Sequence, residues 1–158
     1  MSTSHDHHKL RDLSCRIFEA AGVPSPDART VSDMLIDAEL MGLSSHGLQR
    51  IPQYVDEIRQ GVAKPGADVI AERRSPTTAS VDGQWSLGQV VAKRATEEAI
   101  DMAKESGTGS AVVRGCRHVG RLGGYTELCA ANDCIGLATA SCGNNGQWVA
   151  HSGAAKAV

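Results

Sequence analysis

Apolar residues recur at helical spacing from the start of the chain. Leu10, Leu13, Ile17, Phe18 and Ala21 make one stripe, and Gly22 closes it. Ser25-Pro26-Asp27 reads as a second helix start: a cap residue, then proline at the first position, then an acid. Val31, Met34, Leu35 and Ala38 form its buried face to about Leu40, and Gly42 breaks it. Val55 and Ile58 suit a third helix ending at Gly61. Pro52 has no N–H to give to a helix interior, so a start near Ile51, with His46 on a loop, is preferred over a kinked helix from Ser45.

After the turn Lys64-Pro65-Gly66 the pattern changes. Short strands are predicted over 68–71 and 77–81, and a long helix over 86–105 with Val90, Val91, Ala95, Ala99, Ile100 and Ala103 inward. The run Ser110-Ala111-Val112-Val113 is continuous, as in a strand covered on both faces. A helix over 124–132 and a strand over 135–140 follow. A helical segment, 1–65, thus precedes an α/β or α+β sheet region, 66–158.

Composition adds limits. The 158 residues suffice for a real core, and with 3% aromatics that core must be aliphatic. A net charge of −2 gives no long-range field for nucleic acid or an anionic membrane. No apolar run approaches the roughly 20 residues of a spanning helix, and Met1 to His8 is polar, with no secretory core. Five scattered cysteines argue against a disulfide framework, so a cytoplasmic location is expected. Cys116, His118, Cys129 and Cys134 could be read as a small zinc module, but no CxxC or HxxxH pair is present and no metal is expected. The chain stops in mid-pattern at Ala154-Ala155-Lys156-Ala157-Val158, as a truncated sequence would.

The chemistry-bearing residues fall in three places. Gly42 to Tyr54 sets His46, Arg50 and Tyr54 four residues apart. An imidazole can move a proton near neutral pH, and a guanidinium can grip a carboxylate with two bonds. The plainer alternatives are a surface histidine, a solvated arginine and a core phenol. His118 follows the strand at 110–113, where ligands gather in open sheets, and Arg117 and Arg121 add charge suited to an acidic substrate or cofactor phosphate; equally, this is a strand-to-helix loop. Gly120 to Gly124 is not GxGxxG in register, which favours tight packing over a phosphate cradle. Ser141-Cys142-Gly143-Asn144 follows the last predicted strand and could contact a nucleotide or make a turn. Cys116 has no base placed to activate it and is read as structural.

Ser45-His46-Gly47 with Arg50, Pro52 and Tyr54, then Val81-Asp82-Gly83 with Gly88, then Val113-Arg114 through His118, Gly120 and Tyr125 resemble, in order, the motifs of the type 2 malate/L-lactate dehydrogenases. That family also holds ureidoglycolate and sulfolactate dehydrogenases and piperideine-carboxylate reductase. The resemblance covers the family's N-terminal half or less. It implies an NAD- or NADP-dependent oxidoreductase of small 2-hydroxy or 2-oxo acids, a mixed-sheet, non-Rossmann cofactor domain and a homodimer. It places His46 on a proton donor, His118 on an acid/base, Arg50 and Tyr54 on the substrate side, and Cys142, beside Ser141, on a cofactor contact. Ser44 replaces a usual aspartate. The alternatives are an inactive fragment of such an enzyme or the zinc module.

Overall fold

A computed structural model describes residues 5–141. Three helices come first: α1 (His7–Ala20), α2 (Ser25–Leu40) and α3 (Ile51–Arg59). Asp6 caps α1 by accepting the His8 N–H at 2.8 Å. Helix α2 begins at Ser25 itself. Pro24 holds the cap position, and no side chain caps the helix, so Ser25 does not do the capping expected of it. Helix α3 starts at Ile51, as Pro52 requires, and His46 lies in a short 3₁₀ turn, Ser44–His46.

The second half alternates: β1 (Ile70–Ser75), β2 (Thr78–Ser86), α4 (Gly88–Ser106), β3 (Ser110–Cys116) and α5 (Gly123–Ala130). The sheet order is β1-β2-β3, with β1 antiparallel and β3 parallel to β2. Helix α4 is the crossover, and its end at Gly107 is left-handed, with φ +82°. The architecture is therefore mixed α/β.

Between Asp82 and Ser86 the β2–β3 register shifts. Gln84 and Trp85 take positive φ there, and the Asp82 carboxylate accepts the Gln84 N–H at 3.0 Å. The ladder resumes at Ser86 opposite Cys116, which delivers the chain directly into α4.

Two strand expectations change. Among the described residues strand β3 is covered on one face only: burial alternates along it and Val112 is 71% exposed. A short apolar run does not reveal how many of its faces are covered. Residues 135–140 form no strand, because no described segment pairs with them; Ile135 and Leu137 point into solvent. A strand exists through its ladder, not its composition.

One core cluster joins the helical segment to the start of α4: Phe18, Val31, Leu35 and Tyr54 pack with Leu87. Each buried aliphatic or aromatic side chain there contributes about 1.5–3 kcal/mol. A second cluster, Val81, Val91 and Ala95, seals α4 onto the sheet.

Candidate active site

The turn that carries His46 is held by α2. Glu39, in the last turn of α2, accepts the Leu48 N–H and the Ser44 hydroxyl, each at 2.8 Å. A Cβ on Gly47 would lie 2.2 Å from that carboxylate, so glycine lets Glu39 reach the turn. Arg50 folds back over the same turn. Its Nε donates to the Ser45 carbonyl at 2.6 Å and its Nη1 to Gln53 Oε1 at 2.8 Å. Among the described residues Nη2 has no protein acceptor.

His118 is positioned by the loop after β3 and the elements packed against it. Gly88, the first residue of α4, packs so closely that a Cβ there would come within 2.2 Å of the Arg117 carbonyl oxygen and 2.3 Å of that of His118. Tyr125 of α5 donates its hydroxyl to the Val119 carbonyl. Arg117 donates from Nε to Glu57 on α3 at 2.9 Å, and Glu57 also accepts from Gln53. A polar chain thus runs Arg50–Gln53–Glu57–Arg117 and ties α3 to the loop behind β3.

These constraints bring the two imidazoles together. The His46 and His118 ring centroids are 5.5 Å apart and tilted by 35°. The Ser45 hydroxyl lies 2.9 Å from His46 Nδ1. His118 Nδ1 lies 2.7 Å from the Tyr54 hydroxyl and accepts the Gly120 N–H at 3.3 Å. Tyr54 in turn accepts from the Gln89 amide at 2.9 Å.

The environment depresses both imidazoles. Burial disfavours the charged form of His46, and the Arg50 guanidinium adds to this. His118 is lowered by burial, then Arg50, then His46, with Glu57 opposing. Tyr54 is pushed up to about 12, mainly by burial. Burial works against the charge of Glu57, but hydrogen bonds from Arg117 and Gln53 outweigh it and hold the carboxyl below its ordinary value. Burial also raises the Cys116 thiol, which suits a structural role.

Of the residues singled out from sequence, His46, Arg50, Tyr54 and His118 converge. Tyr54 is 1% exposed, and its hydroxyl faces His118 and Gln89 rather than solvent. Arg117 and Arg121 are committed to Glu57 and Glu127, so neither charge stands free for a phosphate. Ser141 is exposed at the edge of the described residues, and Cys142 lies outside them. Among the described residues no three metal-ligating side chains cluster, and no helix is long and apolar enough to cross a membrane. Glu57 and Gln89 were not singled out from sequence. Glu57 continues the stripe of Arg50 and Gln53, which was its one signal; Gln89 gave none.

A family model described as malate/L-lactate dehydrogenase matches residues 5–158. The chain is 41% identical over 127 residues to an L-sulfolactate dehydrogenase of Methanocaldococcus jannaschii, covering 80% of this chain and 37% of that protein. It is 31% identical over 133 residues to hydroxycarboxylate dehydrogenase B of Escherichia coli, covering 83% and 37%. The structure of malate dehydrogenase from Pyrococcus horikoshii superposes with a TM-score of 0.80 at 36% identity, over 82% of this chain and 37% of that one. The chain therefore spans little more than a third of the length of these relatives.

Proposed function

The chain belongs to the malate/L-lactate dehydrogenase family, and from that premise we propose that it forms the proton-transfer and carboxylate-binding side of a nicotinamide-dependent 2-hydroxy acid dehydrogenase. The observation that carries this reading is the 5.5 Å meeting of the His46 and His118 rings under the influence of Arg50. Imidazoles and a guanidinium can move a proton and hold an acid but store no hydride, so the donor set fits the proton half of such a reaction. A bound nicotinamide supplies or accepts the hydride. Ser141 and Cys142 are the positions assigned to it here.

The two histidines take different parts. His118 Nδ1 accepts the Gly120 N–H, so its neutral ring carries the proton on Nε2 and can donate a hydrogen bond to the substrate carbonyl oxygen. A neutral imidazole used as an electrophile has precedent in other enzymes. Among the described residues the His46 ring has one hydrogen-bond partner, a hydroxyl that can donate or accept, so the ring can cycle between charged and neutral. In this reading His46 delivers the proton in reduction and takes it back in oxidation. Arg50 holds the substrate carboxylate, and Tyr54 acts through His118.

The test is turnover of the full-length protein with NADH and NADPH against small 2-oxo acids that carry a second carboxylate, a sulfonate or a methyl group. Reduction of at least one supports the reading. Saturable cofactor binding with no reduction of any would contradict it.

A further inference from the structure

We propose that Gln89 is a positioning residue that, acting through Tyr54, reinforces the choice made by the Gly120 N–H of which nitrogen of His118 carries the proton. The proposal rests on His118 facing the substrate oxygen, as assigned above.

The direction of the hydrogen bonds follows from one backbone group. Gly120 N–H points at His118 Nδ1 at 3.3 Å. An N–H cannot face a second N–H, so Nδ1 is an acceptor. The Tyr54 hydroxyl, 2.7 Å from the same nitrogen, must then donate to it. The group behind Tyr54 must donate in its turn, which orients the Gln89 amide with its NH₂ toward Tyr54 Oη at 2.9 Å. Every donor in the row Gln89–Tyr54–His118 points the same way. The open Nε2 of His118 keeps its hydrogen.

The setting of Gln89 is not explained by packing. Its side chain is 1% exposed, between Gly88 and Val90 at the start of α4. Its Oε1 is buried with no partner among the described residues. An unmatched carbonyl is unfavourable, and an apolar side chain of the same size would avoid it. Gly120 is fitted around the amide: it has φ +73°, and a Cβ there would meet Gln89 Nε2 at 3.3 Å. The backbone that aims an N–H at His118 is thus the backbone that makes room for Gln89.

The charged and titratable groups around His118 are Arg50, His46, Glu57 and Tyr54. Gln89 itself is neutral and works only through hydrogen-bond polarity. Replacing it by glutamate reverses that polarity: the carboxylate accepts the Tyr54 proton, the phenol no longer donates to Nδ1, and only the long 3.3 Å contact from the Gly120 N–H still favours the Nε2–H form.

The experiment uses the full-length protein labelled with ¹⁵N-histidine, with His118 assigned by its loss in His118→Asn. The wild type should show the Nε2–H form. Gln89→Glu should shift His118 toward Nδ1–H and lower kcat about 10-fold, less than the roughly 10²–10⁴-fold of a positioned acid–base group itself, at unchanged KM for the keto acid. Gln89→Met keeps the volume and should lower kcat in the wild-type background but have no further effect in Tyr54→Phe, because the row is already broken. That pair decides the matter even if Gln89→Glu fails to fold. An unchanged tautomer and kcat in folded Gln89→Glu, or an equal loss from Gln89→Met with and without Tyr54, would overturn the proposal. If His118→Asn keeps full turnover, the catalytic reading fails instead, and the nitrogen spectra still report whether Gln89 reinforces the tautomer.

Discussion

The centre of the His46 ring stands 5.5 Å from that of His118, although one belongs to the turn after α2 and the other to the loop after β3. Neither side chain reaches the other unaided. Glu39 holds the first turn and the Glu57–Arg117 pair holds the second loop.

Both rings are harder to protonate in the fold than in the unfolded chain, first because of burial and then because of Arg50. An unfolded histidine titrates near 6.5. Below that value, down to the depressed folded value, the unfolded chain binds more protons, so stability falls as pH falls. Thermal melts of the full-length protein from about pH 7.5 to about pH 5.5 should show this loss. It should be smaller in His118→Asn.

Arg50→Ala should act on two quantities at once. With Arg50 in its proposed place on the substrate carboxylate, loss of that charged bond raises KM by about 10–100-fold, the equivalent of roughly 1.5–3 kcal/mol. Removal of the positive charge also raises the His46 and His118 titrations, so the pH profile of kcat/KM moves up. Arg50→Lys keeps the charge and should leave the profile in place while KM rises, because an ammonium lacks the planar fork.

Glu57→Gln removes the partner of Arg117 and slackens the loop that ends in His118. A decrease of about 1–2 kcal/mol in stability is expected by denaturant titration, with a loss in kcat larger than any change in KM.

Gly88→Ala tests the close approach of α4 to the His118 backbone. The added methyl would sit 2.2 Å from a carbonyl oxygen, and backbone cannot rotate away as a side chain can. About 1–3 kcal/mol of destabilisation follows, read as a lower Tm, together with reduced turnover in the folded fraction.

Much of the frame was legible in the sequence. Pro52 set the start of α3, and Gly107 the end of α4, because each residue has a fixed backbone consequence. His46, Arg50 and His118 could be picked out by chemical type. What could not be read was pairing. Residues 135–140 have strand composition, but no described segment pairs with them. The single covered face of β3 was hidden for the same reason. Tyr54 was legible as a phenol beside Arg50, but its burial against His118, 64 residues away, was not. Gln89 looked like one more polar helix residue; only the fold puts it behind Tyr54.

The most direct test is single-turnover reduction of a keto acid by His46→Asn, His118→Asn and the double variant of the full-length protein. The account predicts losses of about 10²–10⁴ in each single variant, with the double no worse than the poorer single, because the two rings serve one oxygen. Full turnover in both single variants would contradict it.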